Sequence, residues 1–396
     1  MQVRSELISK YADAVRVHHE AIAREVLSVT DQEVNDSINQ AEETFNEEDV
    51  LYDYFQEHPK DFYILTGFRL TEFNSLWPHC LEQFSVSTRG RKSKVSPRDI
   101  LIILLHYIKR YPRIEEMSVV FHLKTSTLQT LISKYIPILA KVMKNDFIIR
   151  PALEPTTYDQ HFPECDYVVD ATVQEICKPS LSFDIAKKYF SGKHYMYCLK
   201  SQVIVTLKGV AVSIVTGIEG ATHDKRIFDS SLGKEIATLF QYHPNETHKI
   251  LADKGYQDPN SDILVTPHKG NSAELTKEQL AYNQRLGEIR IIVENFFGRL
   301  KARYEIMSSI YRGNHDNYAD LFTICCGLVN FEQIICDHPL REDDRKYYLK
   351  LQASIRGKNL KEIEKAKEKR KKQARNRRAN FEKTTIRDDD YSTDDE

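Results

Sequence analysis

Hydrophobic and polar positions change their spacing along the chain, and this change separates two kinds of structure. Up to about residue 150, apolar residues recur every three or four positions, which is typical of amphipathic helices. From Asp166 onward, short continuous apolar runs take over, and these favour β-strands. The sequence therefore predicts an all-helical first part followed by an α/β part.

The second part contains five apolar runs that we interpret as strands, beginning at Tyr167, Gln202, Val210, His248 and Asp262. Lys208 and Gly209 separate the second run from the third, as in a hairpin turn. Asp224 opens a short helix before the fourth run. Strands that first pair locally and then alternate with helices predict a mixed sheet flanked by helices.

A long helix is predicted after the last strand, within the proline-free segment 275–310. Thr276 starts it in a capping-box pattern. At 3.6 residues per turn, Arg290, Glu294 and Lys301 fall on one face, opposite an apolar face. Gly298 leaves the polar face without bulk, where a backbone or a ligand could approach. A carboxylate between two cations is either a surface ion pair or part of a functional site.

Residues 61–150 contain a candidate helix-turn-helix, preceded by a helix predicted from Pro97 to Tyr111. Ser96 is expected to cap this first helix, and Ser126 to start the third. The polar residues predicted on the outer face of the third helix are Thr127, Gln129, Thr130 and Lys134. These residue types contact base edges and phosphates, although an ordinary three-helix bundle fits the pattern equally well. A basic arm precedes this unit and carries Arg89, Arg91 and Lys92.

Charge is strongly segregated along the 396 residues, although the net charge is only -2. Residues 86–150 hold thirteen Lys and Arg against four acids, and residues 356–378 hold twelve against three. Residues 25–59 contain eleven acids and no Lys or Arg. Such blocks predict surfaces that bind polyanions, together with solvated tails.

Cysteine usage and hydropathy bear on the compartment. The seven cysteines form no C-x-x-C pair, which favours a reducing environment. No apolar run approaches the roughly 20 residues of a membrane helix. We therefore expect a soluble intracellular protein that has no membrane partner.

Four regions follow from these patterns. Residues 1–60 are predicted to form an N-terminal helix and an acidic linker, and residues 61–150 the helical region with the helix-turn-helix. Residues 160–340 are predicted to form the catalytic domain, and residues 341–396 a basic and then acidic tail, either disordered or helical. Within the tail, residues 365–378 are typical of a nuclear-import or nucleic-acid-binding patch, or of a solubilising helix extension.

Isolated acids near the ends of apolar runs are the candidates for chemistry. Asp170 and Asp253 end predicted strands, Asp224 starts a helix from a loop, and Glu294 lies on the long helix. Clustered carboxylates repel one another unless protons or cations neutralise them, and oxygen ligands suit Mg²⁺. Two such ions about 4 Å apart stabilise the attacking and leaving oxygens of phosphodiester cleavage. Only the set predicts this chemistry, because each acid alone is typical of a cap or a turn.

Four short motifs together resemble DDE transposases of the Harbinger (PIF) type and their bacterial insertion-sequence relatives. They are Tyr-Val-Val-Asp at 167–170, Gly-Ala-Thr-His-Asp at 220–224, Ala-Asp-Lys-Gly-Tyr at 252–256, and Arg-x3-Glu-x6-Lys at 290–301. The resemblance implies an RNase H-like core in which Asp170, Asp253 and Glu294 form a catalytic, metal-binding triad. Asp224 would be a fourth ligand or a neighbouring group, and whether it or Asp253 is the second aspartate of the triad stays open. Gly287 stands where relatives often have tyrosine, so the subfamily also stays open.

The resemblance implies a metal-dependent transposase and endonuclease that cleaves DNA at element ends and joins the 3' ends to target DNA. Its cofactors would be Mg²⁺ or Mn²⁺, as two ions. Its partners would be double-stranded DNA and further copies of the chain, with a separate Myb-like DNA-binding protein as an option. The basic tail favours a nuclear location. The alternative is a domesticated, transposase-derived protein that binds DNA without cleaving it.

The resemblance also suggests residues that contact DNA phosphates close to the scissile bond. They are Lys193, Lys200, Arg290 and Lys301. For the first two, a solvated hairpin is an equally good interpretation. The last two could instead pair with Glu294.

Overall fold

We analysed a computed structural model, which describes residues 49–85, 95–149, 159–180, 182–231, 249–270 and 274–389. The basic arm with Arg89, Arg91 and Lys92 lies outside the described residues, as does most of the predicted region 1–60. The division into four regions stays a prediction.

The first part is helical, as the spacing predicts. Its helices are α1 (Val50–Glu57), α2 (Pro59–Thr66), α3 (Leu70–Ser85), α4 (Pro97–Arg110), α5 (Ile114–Phe121) and α6 (Thr125–Lys144). The Ser96 hydroxyl accepts a hydrogen bond from the Asp99 backbone N–H and so caps α4, which confirms that prediction. The predicted cap at Ser126 is wrong, because α6 already begins at Thr125.

The second part is built on a mixed six-stranded sheet. Its strands are β1 (Cys165–Glu175), β2 (Phe190–Ser191), β3 (Met196–Thr206), β4 (Ala211–Glu219), β5 (Lys249–Leu251) and β6 (Leu264–Val265). The order is β2-β3-β1-β5-β6. Strand β4 lies off this path and also pairs with β3. Strand β1 runs antiparallel to β3 and parallel to β5. The predicted hairpin between β3 and β4 is confirmed, and Gly209 adopts a φ of 83° within it.

Within the described residues, five α-helices accompany the sheet: α7 (Phe183–Lys188), α8 (Asp224–Ser231), α9 (Lys277–Arg303), α10 (Tyr318–Ile334) and α11 (Glu342–Asp389). The Thr276 capping box at the start of α9 is confirmed. Its apolar face, with Val293, Phe296 and Leu300, is buried. Such a mixed sheet with flanking helices is compatible with the predicted RNase H-like core. None of the described helices is both long and apolar enough to cross a membrane.

Polar contacts join the helical part to the α/β part. Arg303 of α9 donates a hydrogen bond to the carbonyl of Gly67, at 2.9 Å, and forms an ion pair with the buried Glu332. The side chain of Asn330 hydrogen-bonds both to Ala211, the first residue of β4, and to Phe147, just after α6. Arg303 and Asn330 thus have hydrogen-bond partners on both sides of the junction, which favours one defined orientation of the two parts.

Helix α11 approaches α9 closely at Gly298. A Cβ atom at this position would overlap the carbonyl oxygen of Asp344, near the start of α11. The neighbouring Arg299 forms an ion pair with the Asp344 carboxylate at 3.0 Å. This confirms that a backbone approaches the bare face at Gly298. The first turns of the predicted tail thus pack against the α/β part.

We expect Gly298→Ala to destabilise the protein, because the added methyl group must push α11 away from α9. Overpacking of this kind costs about 2 kcal/mol. Urea denaturation followed by circular dichroism would measure the loss.

Gly287→Ala is the matched control, since it lies on the same helix and its Cβ would meet nothing within 4 Å. Alanine has a greater helix propensity than glycine, so this substitution should stabilise the protein by up to about 1 kcal/mol. If Gly298→Ala were as stable as Gly287→Ala, the described packing of α11 on α9 would be incorrect.

Candidate active site

Strand pairing brings Asp170 and Asp253 to the same region of the sheet. Asp170 lies within β1, opposite Val203 of β3. Asp253 follows β5, the parallel neighbour of β1, and its carboxylate caps the short 3₁₀-helix Lys254–Tyr256. The prediction that Asp170 ends its strand is wrong, because β1 continues to Glu175. The two aspartates nevertheless lie near each other, as the sequence suggested.

The guanidinium group of Arg290 lies between these two carboxylates. Arg290 projects from α9, and its nitrogen atoms are 3.9 Å from an oxygen of Asp170 and 3.5 Å from an oxygen of Asp253. Its side chain is only 13% exposed. One guanidinium group therefore balances the charge of two carboxylates, one within β1 and one just after β5. The sequence analysis predicted that Arg290 either contacts a DNA phosphate or pairs with Glu294. It did not predict this contact with the two aspartates.

Asp224 forms a second ion pair next to this site. It begins α8, and the Lys200 ammonium group of β3 lies 2.8 Å from its carboxylate. Lys200 also donates to the carbonyl of Thr222 at 2.7 Å. The Lys200 side chain is buried, so this pair is largely shielded from solvent. In this structure Lys200 supports an aspartate of the site.

The pKa of Asp170 shows that the three aspartates share one electrostatic environment. This pKa is raised to about 6 in total: burial is the largest cause, the Arg290 cation opposes the rise, and the negative charges of Asp253 and Asp224 add to it. Repulsion from both neighbours means that added positive charge would stabilise the ionised cluster. The aspartates therefore form an electrostatic unit suited to binding a cation.

Glu294 lies on the same helix as Arg290 but is bound by a different cation. Its carboxylate contacts the Arg345 guanidinium of α11 at 2.6 Å. Tyr348, one turn further along α11, links this end of the site to β1 through a 3.2 Å hydrogen bond with Thr172. The charges of both Asp170 and Glu294 act on the Tyr348 hydroxyl, whose pKa is raised mainly by burial. Asp170 and Glu294 thus both act on Tyr348, and Arg345 of α11 holds the Glu294 carboxylate.

The carboxylate oxygens of this site are ligands of the type that a hard divalent cation prefers. Asp170 and Asp253 offer oxygen ligands that already converge on one positive charge. Across the described ranges, however, no three His, Cys, Asp or Glu side chains are grouped closely enough to hold one metal ion. Arg290 and Arg345 occupy the carboxylates that such an ion would use. Binding would therefore require these internal ion pairs to open.

Lys301 lies inside the protein rather than on an exposed face. Its ammonium group donates to the carbonyls of Val173 and Met307, at 2.9 and 3.0 Å. Burial lowers its pKa to about 8. In this structure it ties α9 to β1 and to the loop after α9.

A basic cavity of about 590 Å³ lies beside Lys301, between β1, the β2–β3 hairpin and α11. Its polar and charged lining residues include Lys193, His194, Tyr348 and Arg356. Burial lowers the pKa of His194 to about 4, and the cations Lys193 and Lys200 add to this shift. The potential in this cavity is therefore positive, which suits an anionic group.

Tyr256 is a site residue that the sequence reasoning did not single out. It is 1% exposed, and its hydroxyl has no hydrogen-bond partner among the described residues. Burial, followed by the charges of Asp170 and Asp224, raises its pKa. A buried hydroxyl near two carboxylates is available to hydrogen-bond a group that enters the site. The sequence feature that could have pointed to Tyr256 is its place in the motif at 252–256, three residues after Asp253.

The predicted DNA-contacting residues of α6 lie at the surface. Gln129, Thr130 and Lys134 are exposed, and Thr127 is half-buried. Helices α5 and α6 are separated by the short turn that the sequence predicts. Their role in a helix-turn-helix that binds DNA stays a prediction.

We expect Lys200→Met to destabilise the protein by about 3 kcal/mol, because it leaves the Asp224 carboxylate without its buried partner. Chemical denaturation would measure the change. Asp224→Asn in the same chain should restore most of the lost stability.

Lys225→Met provides the control, since Lys225 pairs with Asp229 and Asp258 near the surface. Its effect should stay below about 1 kcal/mol. Equal losses for the two lysine variants would contradict a special role of the Lys200 pair.

Comparison with known proteins agrees with this geometry. Residues 169–330 match the family model described as DDE superfamily endonuclease. The chain is also 28% identical, over 246 residues, to a probable transposase for insertion sequence element IS702 from Microchaete diplosiphon. That similarity covers 61% of this chain and 83% of the relative. No solved structure matches the chain. The chain thus contains a DDE superfamily endonuclease domain, and this domain includes Asp170, Asp224, Asp253 and Glu294.

Proposed function

We propose that this protein is a metal-dependent DNA transposase of the Harbinger type, which cleaves phosphodiester bonds at element ends and joins the 3' ends to target DNA. One observation carries the proposal: Asp170 and Asp253 converge on a single cation within a DDE endonuclease domain. Similarity to an insertion-sequence transposase supports it further.

Four carboxylates would have distinct tasks. Asp170 and Asp253 would bind metal from opposite sides, in place of the Arg290 guanidinium, and this favours Asp253 over Asp224 as the second member of the triad. Glu294 would complete the triad after leaving Arg345. Asp224 would act as a fourth ligand or keep its contact with Lys200. Two bound Mg²⁺ or Mn²⁺ ions would supply activation of the attacking hydroxyl and stabilisation of the leaving oxygen.

Cations around the carboxylates would orient the DNA. Arg290, once displaced from the aspartates, could bind a phosphate through two parallel hydrogen bonds. Lys193 lines the basic cavity close to Lys301 and would contact the backbone there. The surface of α6 and the basic arm at Arg89 would recognise element ends. Self-association, a Myb-like partner protein and a nuclear location complete the proposal.

DNA binding without cleavage is a second candidate function. It is favoured by the engagement of Glu294 with Arg345, which leaves the predicted triad incomplete. A protein of this kind would bind DNA carrying the element ends and leave it intact in Mg²⁺ or Mn²⁺. The cleavage assay below separates the two candidates.

We expect Asp170→Asn to abolish cleavage of supercoiled DNA carrying the element ends. The neutral amide keeps the shape of the side chain but cannot balance the charge of a metal ion. Gel electrophoresis of nicked and linear products would measure the loss, and EDTA should have the same effect on the unmodified protein. Cleavage that survived Asp170→Asn would remove this residue from the mechanism.

Asp262→Asn is the matched control, because Asp262 is an exposed aspartate just before β6. It should cleave at the rate of the unmodified chain. Folding of both variants can be compared by circular dichroism, so that loss of activity is not mistaken for unfolding.

We also expect Arg345→Met to strengthen Mn²⁺ binding by about threefold, because a partly exposed ion pair no longer competes for Glu294. Isothermal titration calorimetry would measure the dissociation constant. Lys346→Met is the control, since Lys346 forms an exposed ion pair with Asp343 instead. Identical Mn²⁺ affinities in all three proteins would exclude Glu294 from the metal site.

A further inference from the structure

A group of apolar side chains is exposed on α7 and the β2–β3 hairpin. Among the large apolar side chains that the structure describes, Phe183 has the greatest exposed fraction, 76%. Tyr195 is 51% exposed, Ile185 40% and Phe190 38%. All four lie within thirteen residues of the chain. Exposed apolar groups in such a cluster usually mark a binding surface rather than a core.

Three lysines lie among these apolar residues in the sequence. Lys187, Lys188 and Lys193 are all exposed, whereas Asp184 is the one acid of the segment 183–195. Lys188 is 4.0 Å from the exposed Glu219, a contact that solvent weakens. We call the four apolar residues and three lysines together the aromatic-lysine surface. Its charge complements a polyanion.

The hairpin that carries this surface has an unusual backbone. Tyr195 adopts a φ of 54°, a left-handed conformation that is uncommon for a bulky residue. Its backbone N–H donates to the carbonyl of Ser191 at 2.7 Å, which holds the turn in place. A strained residue of this kind persists where the surrounding structure holds it, often at binding sites. The turn places an exposed ring beside Lys193.

The aromatic-lysine surface lies along the sheet from the carboxylates. Strand β3 runs from the hairpin past Lys200 to Val203, which pairs with Asp170. At about 3.3 Å per residue, Tyr195 of the hairpin is about 25 Å along the strand from the position that pairs with Asp170. His194 and Met196, on either side of Tyr195, line the basic cavity. A DNA strand bound at the carboxylates could therefore continue over this surface.

We propose that the aromatic-lysine surface binds unpaired nucleotides of the DNA substrate, with bases stacked on Phe183 and Tyr195 and phosphates contacted by the lysines. This inference rests on the proposed DNA substrate and adds a preference for unpaired DNA. Paired bases are already stacked inside a duplex, so exposed rings gain little from them, whereas every unpaired base offers a face. Lysines alone would bind both forms through their phosphates.

Fluorescence anisotropy can test this with the full chain and two labelled probes of arbitrary sequence: a short duplex, and the same duplex with a single-stranded extension. Stacking tolerates any base, so element ends are not needed. We expect Phe183→Ala to weaken binding of the extended probe about tenfold and of the plain duplex less than twofold. Phe183→Trp should restore binding, since it keeps an aromatic face.

Ile64→Ala is the matched control, because Ile64 is 57% exposed on α2, outside both this surface and the candidate helix-turn-helix. It should change neither affinity. No loss with Phe183→Ala, or an equal loss on both probes, would overturn the inference and leave the surface to another partner, such as a protein. Measurements in EDTA involve no cleavage. A failure to cut DNA would therefore refute the proposed function but would leave the binding of unpaired nucleotides open. Equally, a failure of the binding test would leave the cleavage activity open.

Discussion

Repulsion among acidic side chains is the constraint on which this structure depends. Asp170, Asp224 and Asp253 interact closely enough that two of them raise the pKa of the third. Each is balanced by a cation from another element, Arg290 of α9 or Lys200 of β3. Strands alone would therefore not form this arrangement at low energy. The long helix must pack across the sheet, and its polar residues are part of the reason that it does so.

The internal cations also define how the site could be used. An ion pair inside a protein is stable only while no better cation competes for the carboxylate, and a divalent ion carries twice the charge of a guanidinium. Arg290 released from the aspartates would then be free to bind an anion, and phosphate is the anion that DNA provides. The arrangement would thus couple metal binding to phosphate binding, because the same side chain would take part in both.

Much of the fold follows from local patterns, and parts of the site do not. The caps at Ser96 and Thr276 and the turn at Gly209 could be predicted, because each depends on neighbouring residues. The contact between Glu294 and Arg345 spans 51 positions, and the segment around Arg345 has the polar composition of a solvated tail. Helix α7 and strand β2 were missed because their apolar residues are exposed, so spacing rules that depend on burial do not apply.

The same reasoning explains why the first turns of α11 pack against the α/β part. Arg299 binds Asp344, Gly298 admits the α11 backbone, and Tyr348 bonds to Thr172 of β1. These contacts fix the first turns of α11 against the helix that carries Arg290. Arg345 is consequently held beside Glu294 by packing on either side of it. The ion pair of Glu294 is therefore set by a segment that the sequence analysis placed in the charged tail.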